Sequence, residues 1–474
     1  MTGGSIVVGN AHQGNGAEPP PDAVPLWRED RLVAPRRPAL PCDTSADVAI
    51  VGAGFTGLWA AYYLLQADPS LKVVLLEREF AGFGASGRNG GWASSIFPVS
   101  LGRVEQLYSH PSALALQAAM NETVAEIGRV VSDENIECDY AREGFVSLAR
   151  SQAQWARAQA TVAGAERFGI PGQWQLLDAG AARDKINAAG VFGGIYTEHC
   201  ALLHPDKLVC GLATWVENHG GVIYEDTAVD EIDNGIVRTK RGSVTASVVI
   251  RATEAFTPEF AAYRRNIAPL YSLVVATAPL PPELRAELGL CGRTAFNDLR
   301  NLRIYAHPTS DGRLVFGGRG APYHFRSKVD PSFDVDEKIH QKIITTMHEF
   351  FPALRDVPIT HRWGGPLGVP RDWFPSVGYD KRNKMAWAGP YVGDGVATSN
   401  LAGRILRNLI LGKHDALNSL PVVNHRSKKW EVEPFRWIEV NAGLRAAATA
   451  DLEERVTGKP SKVSALIEKL TGAH

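Results

Sequence analysis

The sequence predicts an α/β protein: a doubly wound parallel sheet, an inserted α+β unit built on an antiparallel sheet, and a helical C-terminal segment. Three observations carry that reading. Asp47 to Val51 is a short apolar run, followed by Leu58, Ala61, Tyr62 and Leu65 at helical spacing and by a second apolar run, "LKVVLLE", at 71–77. Strand, helix, strand is how a parallel sheet opens. Strand signals of that kind return only much later, at 220–232, 243–253 and 384–389. The segments between them have a different character, so the first unit is interrupted by insertions.

Taken in order, residues 1–24 are rich in Gly, Pro and Ala with little to bury, the composition of a mobile tail. The parallel-sheet domain is expected to be discontinuous, over 25–100, 200–258 and 362–424. Segments 112–131 and 151–169 read as amphipathic helices, and 270–280 and 313–320 as antiparallel strands. They place a second, substrate-binding domain at 101–199 and 259–361. From 425 to 474 the pattern is charged and helical, with Trp430, Phe435 and Trp437 available to anchor it. A chain of 474 residues is too long for one ordinary core, and its length suggests roughly two to three domains.

Composition narrows the function. The chain is 45% apolar and 21% charged, with a net charge of −1 and no basic run, which argues for a globular protein and against a nucleic-acid partner. Cys42, Cys138, Cys200, Cys210 and Cys291 show no CxxC pair and no metal-ligand spacing, so buried free thiols and no metal site are expected. No signal-peptide pattern is present, nor any run of the roughly 18 apolar residues that a membrane helix needs. A cytoplasmic protein without a membrane span is the expectation.

Chemistry enters at "GAGFTG", where Gly52, Gly54 and Gly57 form a GxGxxG between the first strand and its helix. The first glycine permits a tight turn, the second admits a pyrophosphate to the backbone, and the third lets helix and strand pack closely. Phe55 and Thr56 fall within this loop, at the helix N-terminus that would face the anion. Glu77 ends the second strand 20 residues after Gly57, where a carboxylate accepts hydrogen bonds from an adenosine ribose, with Arg78 beside it. The fingerprint alone leaves FAD and NAD open, since both carry an ADP half.

Separated from Glu77 by three residues lies the stretch "AGFGASGRNGGW", residues 81–92, with five glycines in twelve residues. Later segments complete the same sheet, so a linker between unrelated units does not suit the run. A loop lying along an extended ligand suits it better, with glycines admitting backbone N–H groups and Ser86, Arg88 and Asn89 reaching polar atoms.

These stretches, with "WGGPLGVPRDWFPSVG" and "GPYVGDGVATSNLAGRIL" near the far end, resemble the FAD-dependent oxidoreductases of the D-amino-acid-oxidase-like superfamily, most of all its γ-glutamylputrescine oxidoreductase-like members. The likeness runs from about Leu26 to the C-terminal helices. It implies a Rossmann-like FAD-binding domain and assigns Ser86, Gly87, Arg88, Asn89, Gly90 and Gly91 as flavin contacts. It sets Gly393, Asp394, Gly395 and Val396 before a helix starting near Ala397, whose N-terminus would stabilise charge on the reduced ring. Val229 is implied as an adenine contact. Ala252 and Thr253 are implied as cofactor neighbours, although Glu254 departs from the small or amide residue often found there.

The activity so implied is oxidation of an amine or amino acid by hydride transfer to the flavin. The substrate is then a small amine, and O₂ or another acceptor takes up the electrons. Some relatives bind flavin through a cysteine; none lies in the corresponding stretch, so non-covalent FAD is expected. Arg303, Tyr305 and His307 share a strand parity and could line one cavity, with His307 standing where relatives often carry arginine. Trp363 is expected as a wall of the flavin site, and these four are the candidate catalytic residues. Trp92, Tyr391 and Trp373 are further possible walls, Arg319 a possible buried ion pair, and His204 a structural residue at a helix start. The competing readings are a flavin protein that no longer catalyses and a dehydrogenase that uses a non-oxygen acceptor.

Overall fold

A computed structural model describes residues 6–7, 24–31 and 35–463. Five strands form a parallel sheet in the order Val222–Tyr224, Val73–Leu76, Thr44–Val51, Gly242–Arg251 and Met385–Ala388. Val73–Leu76 and the second half of Thr44–Val51 are buried throughout, which is why they read as unbroken apolar runs. Val48, Ile50, Val73 and Leu75 meet the helices Phe55–Ala67, Pro205–Asn218 and Gly395–Leu411. On the other face Ala49, Val51, Val74 and Leu76 pack against Ile232, Val237 and Val244. Those three belong to the antiparallel ribbon of Val229–Asp233, Ile236–Thr239 and Gly242–Arg251.

The 220–232 stretch, expected as one strand signal, is two strands. Asp226 turns the chain between them at φ 46°. Ile6–Val7, inside the expected tail, pairs with Glu231 and Ile232; apart from Val24, the rest of that tail lies outside the described residues.

The second sheet has eight strands, ordered Ile359–Val369, Ala268–Thr277, Leu314–Gly318, Ile304–Pro308, Ala295–Asp298, Phe145–Ala149, Gly193–Thr197 and Gln175–Asp178. All pairings are antiparallel except Ala295–Asp298 with Phe145–Ala149. The expected return to the nucleotide domain at residue 362 falls inside its edge strand.

Helix Phe435–Thr457 closes the described chain. Trp430 anchors it, buried with its indole N–H donated to the Val369 carbonyl at 2.8 Å. Phe435 and Trp437 do not, being 63% and 40% exposed. The expectation that all five thiols are buried also fails, since Cys42 and Cys291 are exposed. No helix among the described residues is long and apolar enough to cross a membrane.

Candidate active site

One cavity of about 360 Å³ runs from the C-terminal edge of the parallel sheet to the second sheet. Its first part is the fingerprint. Gly52 has φ +104°, and a Cβ there would stand 2.6 Å from the Ala252 carbonyl oxygen. A Cβ on Gly57 would collide with the Gly52 carbonyl, so this glycine keeps helix against strand and does not line the cavity. Gly52, Gly54, Phe55 and Thr56 do line it. Glu77 is pinned by the Ala53 and Glu79 N–H groups at 2.9 and 3.1 Å. Burial pushes its carboxyl above the usual range against those two donors. Arg78 beside it is held by Glu259 at 2.8 Å. Val229, Ala252 and Thr253 complete this end.

Glu254 explains itself by its partners. Its backbone sits at φ 38°, and its carboxylate accepts from the N–H groups of Gly368 and Tyr391 at 2.8 and 3.3 Å. A half-buried acid thus ties the strand end to the two chain segments that close the far part of the cavity.

The glycine run forms the middle wall. Ser86 accepts the Phe55 N–H at 2.7 Å, capping a helix whose own N-cap, Gly54, has no side chain to do so. Asn89 holds the run in shape, donating to Ala85 and Ser86 carbonyls and accepting from Gly91 N–H. Arg88 lines the cavity but spends its guanidinium on Asp334, Gly364 and the Phe83 carbonyl. Gly87 and Gly91 stand behind the lining. A Cβ on either would strike the Gly82 or the Leu203 carbonyl, respectively.

That run is braced from outside by the short 3-10 helix Leu26–Arg31. Trp27 donates its indole N–H to the Asn89 carbonyl at 2.7 Å, and Arg28 donates to the Gly82 and Phe83 carbonyls. Glu29 pairs with His361 of the second sheet at 2.7 Å.

At the other end, helix Gly395–Leu411 begins two residues before the expected Ala397. Gly393, Asp394, Gly395 and Val396 all line the cavity. Asp394 lies in the field of Arg319 and Arg303, yet burial pushes its carboxyl up to about 6. Burial also lowers both arginines. Arg319 donates to the Val392 carbonyl at 2.6 Å, whereas the Arg303 guanidinium has no hydrogen-bond or ion-pair partner among the described residues. Tyr305 bonds Ser272 at 3.1 Å, and its ring lies where a Cβ on Gly90 would be 2.6 Å away.

Arg303 and Tyr305 therefore share the cavity with Trp92, Trp373 and Tyr391. His307 does not share it. The glycine run crosses the sheet face between the two, and His307 lines a separate crevice with Trp27 and His204. Burial drives its pKa down to about 4, so it is neutral. Trp363 is also excluded; it is fully buried behind Arg88, whose carbonyl accepts its indole N–H at 2.9 Å. His204 caps helix Pro205–Asn218, accepting the Lys207 N–H, the structural role expected of it. Phe256, Asn297 and Ser272 line the cavity without having been expected. Only their positions on folded strands and turns reveal them.

Residues 47–409 match the protein family described as FAD dependent oxidoreductase. The chain belongs to that family. It is 33% identical over 388 residues to gamma-glutamylputrescine oxidoreductase of Escherichia coli K12, covering 80% of this chain and 87% of that protein. Its fold matches glycine oxidase from Geobacillus kaustophilus with a TM-score of 0.66 at 20% identity, over 80% of this chain and 99% of the other. L-proline dehydrogenase from P. horikoshii aligns equally well, with a TM-score of 0.66 at 19% identity over 81% and 96%. The protein is an FAD-dependent oxidoreductase, and its residues fit the cofactor. A glycine-lined passage and a helix N-terminus suit a pyrophosphate, and Glu77 stands at the strand end where an adenosine ribose would lie.

Proposed function

We propose that this enzyme oxidises the C–N bond of an amine that also carries a carboxylate, with dioxygen as the final acceptor and hydrogen peroxide as product. Arg303 carries the reading. A half-buried guanidinium with no partner among the described residues calls for an anion, and it lies in the same cavity as the residues that fit the flavin. Bound there non-covalently, FAD supplies a two-electron acceptor for the hydride on the carbon bearing nitrogen, leaving an imine that water hydrolyses.

The chain's own residues bind and orient. Glu77, Val229 and the fingerprint loop would hold the adenosine end, the Ser86–Gly90 wall the middle, and Gly393–Val396 the ring end, where helix N–H groups favour negative charge. Arg303 would fix the substrate carboxylate. Trp92, Trp373 and Tyr391 would exclude water from the reacting carbon. Burial raises the Tyr305 hydroxyl, so it stays protonated and serves as a hydrogen-bond donor, not as a base.

The test is anaerobic mixing of the yellow protein with simple amines and amino acids while flavin bleaching is followed. Amino acids are expected to bleach it, and Arg303→Met should weaken half-saturation about ten- to hundredfold with flavin content unchanged. Failure of every amine to bleach the flavin would sink the reading. Peroxide formation in air separates the oxidase from a dehydrogenase using another acceptor.

A further inference from the structure

Trp373 lines the cavity in a backbone shape that a bulky side chain does not favour. It ends a turn in which its N–H is donated to the Pro370 carbonyl at 3.1 Å, and its φ is 62°. A left-handed tryptophan persists only where its surroundings over-determine it. Here the residues on either side of Trp373 are held by the C-terminal segment.

Arg371 reaches the carboxylates of Glu431, at 3.1 Å, and of Glu439. Asp372 accepts from His425 Nε2 at 2.9 Å, and Phe374 stacks on the same imidazole with ring centroids 4.3 Å apart. A carboxylate only accepts, so in the neutral ring Nε2 carries the proton and Nδ1 accepts from the Tyr108 hydroxyl. The segment holds the cavity a second time where Asp451 accepts from the Asn301 and Leu302 N–H groups, directly before Arg303. Among the described residues none beyond Ser399 lines the cavity, so the segment grips walls that it does not form. The two gripped residues meet at Arg319, whose guanidinium lies 5.6 Å from the Trp373 ring and whose backbone N–H donates to the Arg303 carbonyl at 3.0 Å.

We propose that His425, Glu431, Glu439 and Asp451 are positioning residues, which set Trp373 and Arg303 at the substrate end of the cavity and so govern substrate affinity without touching the ligand. This rests on the reading in which Trp373 and Arg303 face the substrate, but the closure of the wall is measurable without one.

Native holoenzyme, His425→Ala and His425→Gln are compared by two readings. Anaerobic bleaching by amino acids gives a half-saturation and a maximal rate, and iodide quenching of the flavin fluorescence reports how open the wall is. His425→Ala should raise half-saturation about tenfold and increase quenching, with maximal rate and flavin content unchanged. His425→Gln should restore both, because its amide can donate to Asp372 and accept from Tyr108. Plain loss of packing gives a different pattern, a lower unfolding temperature with half-saturation and quenching as in the native enzyme, and that pattern would overturn the proposal. A His425→Gln variant no better than His425→Ala would do the same. Should His425→Ala not fold, Asp451→Ala decides by the same readings. If no amine bleaches the native enzyme, amine oxidation falls, and the quenching comparison alone decides the positioning.

Discussion

Two arginines and one aspartate control the charge at the closed end of the cavity. Asp394 titrates near 6, above the ordinary 3.8, because burial outweighs the attraction of Arg319 and Arg303. Above that pH the three groups sum to one positive charge, and below it to two. A simple carboxylate such as acetate should therefore bind more tightly as pH falls through about 6, read by its perturbation of the flavin spectrum. Asp394→Asn should bind it tightly at every pH, and a step that persists in this variant would reject the assignment. The same raised pKa gives the folded protein extra stability below pH 3.8, which is lost as pH rises through about 6. At this scale the sequence spoke clearly for Arg303 and Tyr305, because strand alternation places them together. It misplaced His307 and Trp363, since parity cannot reveal a loop that crosses the face between two residues of like parity.

Strand, glycine run and helix N-terminus work as one element. Gly54 leaves the helix without a capping side chain, and Ser86, from 31 residues away, provides the cap. Ser86→Ala should cost about 1 kcal/mol of stability and weaken FAD retention, checked by thermal unfolding and by flavin released on dilution. Unchanged values for both would show that the cap is idle without flavin. The parallel strands were legible to within a few residues because burial on both faces leaves an unbroken apolar run. Less legible were the break inside 220–232, whose two strands pair with different neighbours, and the start of helix Gly395–Leu411, where short turns decide the boundary.

Across the whole molecule, Arg88 and Asp334 tie the cofactor wall to the loop before helix Glu337–Phe350. Both side chains are mostly buried, at 11% and 14% exposure. Arg88→Met should therefore destabilise the protein by about 3–5 kcal/mol by stranding the carboxylate, while Arg88→Met with Asp334→Leu should recover most of the loss. Denaturant midpoints decide it; a double variant no better than the single would mean the arginine acts through its carbonyl contacts instead. The C-terminal helix adds a remote hold, since Asp451 accepts from Asn301 and Leu302 N–H at 2.7 and 2.9 Å, next to Arg303. Neither tie could be read from the sequence, because each joins residues whose separation along the chain carries no periodic signal. The brace formed by Leu26–Arg31 has a consequence in time. Its partners lie as far along the chain as His307 and His361, so during synthesis Trp27 leaves the ribosome long before the surfaces it must clasp exist. The cofactor wall can be locked only after most of the second sheet has been made, which sets flavin capture late in the life of the nascent chain.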